Sequence, residues 1–113
     1  MEINRYQEIV DQWIKTVGVR YFDVKTNTLI LAEEVGEFAK IVARTYGEQS
    51  FKTPTTEEEA KEMLTDELSD VFWVLTCLAN QLDIKLEDAL EKNLAKKNIR
   101  DKDRHKQNPK LNL

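Results

Sequence analysis

The chain has 113 residues, of which 41% are hydrophobic and 34% charged, with a net charge of -4 and only 3 Gly and 2 Pro. That length fits one domain with a modest core, for which oligomerisation is expected. The composition favours helices over a loop-rich or disordered chain, and the acidic balance excludes a nucleic-acid polymer as the main partner.

The sequence predicts four helices and no strands. The first covers roughly Asn4–Thr16, with Tyr6, Ile9, Val10, Trp13, Ile14 and Val17 on one face and Gly18 as its stop. A second is predicted at about Lys25–Tyr46, its apolar positions including Leu29, Ile30, Val35, Phe38 and Ile41. Gly47 then suits a left-handed cap. The clear loop is GEQSFKTPTT, from Gly47 to Thr56. Pro54 disfavours helix at Thr53, and Thr56-x-x-Glu59 forms a capping box that opens a third helix running to about Leu82.

That third helix is acidic in its first half, whereas its second half, VFWVLTCLA, is apolar on nearly all sides and calls for enclosure by other helices or another subunit. Cys77, the single cysteine, reads there as a small buried hydrophobe and leaves no disulfide framework. A shorter fourth helix is marked by Leu86, Leu90 and Leu94, although Lys85 is a poor cap for it. From Ile99 the periodicity fades into a basic segment, IRDKDRHKQNPKLNL. The expected architecture is an all-α antiparallel bundle of four main helices, completed by oligomerisation. One domain covers 1–108, and 109–113 form a flexible C-terminal tail. No apolar run nears the ~18 residues of a membrane span, and Met1–Gly18 shows no signal-peptide pattern, so no membrane partner and a cytoplasmic location are expected.

Glutamates interrupt two of the apolar stripes. In LAEEVGEFAK, Glu34 has Ile30 and Leu31 one turn before it and Phe38 one turn after, while Glu37 has Ile41 one turn after. In DELSDVFW, Glu67 sits among Met63, Leu64 and Val71, and Asp70 beside Trp73 and Val74. An i, i+3 pair lies about 60° apart around a helix, so each pair aims its two carboxylates the same way. Two such helices packed face to face would converge Glu34, Glu37, Glu67 and Asp70, with Glu33 at the edge. Four anions in a partly dry site call for a hard divalent cation with oxygen ligands, Mg2+ or Mn2+ as a substitute. Such an ion typically bridges carboxylates to substrate phosphates. Solvated or lysine-paired glutamates are the competing reading, and Glu62 fits it. A di-iron bundle fails for want of Glu-x-x-His motifs, since the only histidine is His105, and zinc fails with one Cys and one His.

The segments EEVGEFAK, DELSDVFWVLTCLANQLDIKLEDAL and KKNIRDKDRH, in that order, resemble the MazG-like nucleotide pyrophosphohydrolases of the all-α NTP pyrophosphatase superfamily. The resemblance spans roughly Leu29–His105. It implies that Glu34, Glu37, Glu67 and Asp70 bind Mg2+. It also implies that a nucleoside triphosphate is cleaved between its α- and β-phosphates to a monophosphate and pyrophosphate, in nucleotide-pool cleansing or control. Homodimers or tetramers with sites near subunit contacts are the further implication. The proton of the attacking water would pass to Glu33 or Glu37. Lys96, Arg100 and Arg104 in the matched basic segment would offset phosphate charge, Asn98 would hydrogen-bond substrate, and Trp13 could stack on a base. Arg44 and Lys52 are further basic candidates. Two alternatives stay open: a related all-α pyrophosphohydrolase acting on phosphoribosyl-ATP or a deoxyuridine nucleotide, and a non-catalytic helical module binding a partner through Val71–Leu82.

Overall fold

The computed structural model describes residues 1–112, in four helices and, among those residues, no strand. Helix α1 spans Ile3–Thr16, α2 Val24–Tyr46, α3 Glu57–Gln81 and α4 Leu86–Arg100. Each boundary has a local cause. Asp23 starts α2 by accepting from the Thr26 amide at 2.7 Å. Thr56 and Glu59 close the reciprocal capping box at the head of α3, satisfying two amides that the helix itself leaves free. Lys85 makes no side-chain cap for α4, in keeping with its chemistry. The cap comes from α1 instead. Gln7 accepts from the Leu86 amide at 3.0 Å through Oε1 and donates to the Ile84 carbonyl at 2.6 Å through Nε2.

Helices α2 and α3 form the most extensive contact and run antiparallel, pairing Asn27 with Gln81 and Glu34 with Glu67. Helix α1 lies across α3, and α4 rests on α1. The buried apolar side chains are few: Val10 from α1 and Ala60, Val74, Cys77 and Ala79 from α3. Burial pushes the Cys77 thiol up to about 11, which keeps it protonated and inert at neutral pH.

Two expectations need correction, at the Gly47 cap and along the apolar stripes. Gly47 is not left-handed: its φ is -100° and ψ -156°, and its role is steric, because a Cβ there would stand 2.6 Å from the Ala43 carbonyl oxygen. Beyond its own turn of α2, nothing in the chain comes within 4 Å of where a Gly36 Cβ would lie, so no neighbouring helix of the same chain requires it. Leu29 and Val35, placed on the inner stripe by periodicity, are exposed, as are Phe72 and Leu75 on α3. One chain thus leaves much of its apolar stripe uncovered. Its radius of gyration, 18.0 Å, exceeds the ~13 Å of a compact domain of this size. Past Arg100 the chain continues in turns, and the Asn112 side-chain amide donates to the carbonyls of His105, Lys106 and Asn108. Leu113, in the tail expected to be flexible, lies outside the described residues. Among the described residues no helix is long and apolar enough to cross a membrane.

Candidate metal centre

The α2–α3 seam positions the acidic residues. Glu34 comes from the middle of α2, and Glu67 and Asp70 lie one turn apart on α3. One carboxylate oxygen from each of these three lies within 4.8 Å of the other two. Glu34 and Glu67 are half-buried and Asp70 is exposed, so the cluster opens to solvent on the Asp70 side.

Glu67 is its inner member. Its Oε2 is buried and has no hydrogen-bond partner. Burial first, then the charge and hydrogen bond of Glu34 and the charges of Asp70 and Glu37, push the Glu67 carboxyl above the usual carboxylate range. A buried carboxylate oxygen left unpaired is costly. Oxygen donors alone, converging from two helices around that unpaired atom, fit a hard divalent cation such as Mg2+.

The other site residues predicted from sequence are placed differently. Glu37 is near enough to influence Glu67 but stands outside the three-carboxylate cluster, its Oε2 3.8 Å from Lys40 Nζ. Glu33 is exposed. Lys96, Asn98 and Arg100 are exposed on α4, and Arg104 is exposed beyond it. Arg100 and Arg104 both pair with Asp101, at 3.2 Å and 3.6 Å. Helix α4 rests on α1 rather than on the α2–α3 pair that carries the carboxylates. Trp13 packs edge-to-face on Trp73, with ring centroids 5.4 Å apart at 84°.

Sequence reasoning passed over a second polar cluster, at the α1–α3 crossing. The Tyr21 hydroxyl donates to Asp11 at 2.6 Å and accepts from Asn80 Nδ2 at 3.0 Å, and Lys15 pairs with Asp11 at 2.9 Å. It borders a cleft of about 530 Å³ lined by Gln7, Asp11, Lys15, Asn80 and Lys85 among others. Asn80 sits at a helix position next to the apolar run, the one signal that would have flagged it.

Comparison with known proteins gives a consistent result. The model of the MazG nucleotide pyrophosphohydrolase domain matches residues 22–105. The Bacillus subtilis protein YpjD, of uncharacterised activity, is 41% identical over 98 residues, covering 87% of this chain and 85% of YpjD. The crystal structure of B. subtilis YpjD superposes with a TM-score of 0.74 and 35% identity, covering 88% of this chain and 96% of that one. The crystal structure of a Bacillus-conserved MazG protein, a nucleotide pyrophosphohydrolase, gives a TM-score of 0.72 at 34% identity, covering 91% and 96%. The matched region contains all of α2, α3 and α4, and with them every acidic residue of the cluster. The chain belongs to the MazG nucleotide pyrophosphohydrolase family.

Proposed function

We propose that this protein is a Mg2+-dependent nucleoside triphosphate pyrophosphohydrolase, cytoplasmic, serving nucleotide-pool cleansing or control. The observation that carries the reading is the buried, unpartnered Oε2 of Glu67 beside Glu34 and Asp70, in a chain of this family. Glu34, Glu67 and Asp70 would hold the ion, with Glu37 closing in as its weak pair with Lys40 gives way. When bound, Mg2+ or Mn2+ supplies a Lewis acid for phosphate oxygens.

The chain's own groups account for the rest. The open Asp70 side of the cluster would admit the triphosphate beside the three carboxylates that would hold the ion. Water attacks the α-phosphorus, the bond from that phosphorus to the α–β bridging oxygen breaks, and pyrophosphate leaves. The water's proton passes to a carboxylate not fully engaged with the ion, Glu33 or Glu37. Lys96, Asn98, Arg100 and Arg104 stand on or beyond a helix that does not pack on the seam, so they would serve the site of a neighbouring copy. A homo-oligomer also accounts for the uncovered apolar residues Leu29, Leu68, Phe72, Leu75, Leu90 and Leu94.

The test is a hydrolysis screen over canonical and modified nucleoside triphosphates with Mg2+ or Mn2+, reading products by mass. Monophosphate and pyrophosphate are expected. Wild-type turnover by a folded Glu37→Gln, Asp70→Asn double variant would overturn the proposal.

A further inference from the structure

The acidic set has one cation in contact with it. Of the ion pairs among the described residues, a single one takes in a site carboxylate: Lys40 Nζ stands 3.8 Å from Glu37 Oε2. Glu34, Glu37 and Lys40 follow one another on α2 at i, i+3 and i+6. Every Cα–Cβ bond of a helix tilts toward the N-terminus, so the Lys40 side chain leans back along α2 toward the glutamates, as its contact with Glu37 shows. The cations of α4 have no such placement. Their helix rests on α1, and Arg100 is taken up, like Arg104 beyond it, by Asp101.

The Lys40–Glu37 pair is loose. Its side chains are 48% and 46% exposed, and its 3.8 Å separation is long beside the 2.9 Å between Lys15 and Asp11. A pair so open to water contributes little to stability, so either partner exchanges easily. A lysine ammonium is a compact charge on a flexible stem, suited to phosphate oxygens that arrive from solvent. Such oxygens meet a crowded field here, because Glu34, Glu67 and Asp70 already bring three carboxylate oxygens within 4.8 Å of one another. The phosphate chain of a nucleotide adds further negative charge, most of it on the two terminal phosphates. A cation on the same helix as Glu34 and Glu37 faces that charge without help from another copy.

We infer that Lys40 is a phosphate-binding residue of this site: Glu37 is its resting partner, and the terminal phosphates of the substrate, the part that leaves as pyrophosphate, replace Glu37. The inference rests on the function proposed above and adds a residue to it. When the bond from the α-phosphorus to the bridging oxygen breaks, its electron pair stays on that oxygen, and the Lys40 charge sits beside the pyrophosphate that gains it. The same exchange releases the Glu37 carboxylate, one of the two given the proton of the attacking water.

Lys40 is exposed, so its replacement leaves the fold in place, and three measurements on the intact protein test the assignment. In Mg2+-dependent hydrolysis, Lys40→Met raises KM for a nucleoside triphosphate about tenfold with a smaller change in kcat, and Lys40→Arg restores most of the affinity. Inhibition by added pyrophosphate weakens by the same factor, while inhibition by the nucleoside monophosphate is unchanged. Mn2+ binding without nucleotide, read by calorimetry, is not weakened, since the variant loses a positive charge beside the carboxylates. A Lys40→Met variant that keeps the wild-type KM or the wild-type pyrophosphate inhibition overturns the inference and leaves the proposed function standing. So does one whose Mn2+ affinity falls along with its nucleotide affinity, because Lys40 then acts through the carboxylates and not on phosphate. A wild-type protein that hydrolyses no nucleotide overturns the proposed function, and the Lys40 assignment with it.

Discussion

The carboxylates of Glu34 and Glu67 stand within 4.8 Å of each other across the α2–α3 seam, and the inner oxygen of Glu67 has no partner. Burial and the Glu34 charge raise the Glu67 carboxyl. A raised folded-state value means stability present below the ordinary carboxylate range and lost as pH rises through the folded value. At neutral pH the metal-free protein therefore carries a destabilising charge here. Glu67→Gln should raise the melting temperature of the metal-free protein by a few degrees at pH 7, with the gain vanishing near about pH 4. The same variant should lose the rise in melting temperature that Mg2+ gives the wild type, since a ligand stabilises the state it binds. Scanning calorimetry with Mg2+ or chelator checks both.

Gln7 holds the start of α4 through both ends of its amide. Gln7→Ala removes the cap that Lys85 does not supply, at a cost of about 1 kcal/mol or more. The expected fall in melting temperature is roughly 4–8 °C per kcal/mol for a small domain. Amide exchange at Leu86 should accelerate more than at any residue of α3.

The glycines part company. Gly47→Ala drives a Cβ to 2.6 Å from the Ala43 carbonyl oxygen and should destabilise by about 1–3 kcal/mol in urea unfolding. Gly36→Ala meets open space within a helix and should stabilise by about 0.5–1 kcal/mol. Opposite signs from the same chemical change are the outcome to check.

Tyr21 and Asp11 set two edges of the pH range. Burial, and then the hydrogen bond to Asp11, raise the Tyr21 phenol. That hydrogen bond, followed by the one from Lys15, lowers Asp11. The Tyr21 contribution is present below the ordinary phenol value and lost as pH rises through the folded one. The Asp11 contribution is present above the ordinary carboxylate value and lost as pH falls through the folded one. Tyr21→Phe should therefore be less stable than wild type at pH 7, with the difference shrinking below about pH 4 and above about pH 10. Denaturant midpoints across pH give the curve.

What the sequence made legible follows the range of the interactions involved. The α3 start was readable because Thr56 and Glu59 are three residues apart, and all four helices fall within a residue or two of their expected starts. The α4 cap was not, since Gln7 lies 79 positions from Leu86. Asn27 was passed over as an ordinary polar residue, yet it is buried and donates to Gln81 at 2.8 Å across 54 positions. Leu29 and Val35 look internal by periodicity, but periodicity cannot say which covering surface belongs to the same chain. At the site, helical spacing could group carboxylates by face. It could not show that Trp13 and Trp73 meet, because that depends on how α1 and α3 cross.

The concentration of burial on α3 also sets an order of disassembly. Ala60, Val74, Thr76, Cys77 and Ala79 are all buried on that helix, whereas α4 buries no residue at all and borrows its first hydrogen bonds from α1. Local opening draws on the elements with the fewest buried contacts. Helix α4 should detach first, releasing α1's Gln7, and α1 should follow. The antiparallel α2–α3 hairpin, which carries the carboxylates and makes the most extensive helix contact, persists longest. The acidic cluster thus resides in the part of the molecule that opens last, while the basic residues of α4 ride on the part that opens first.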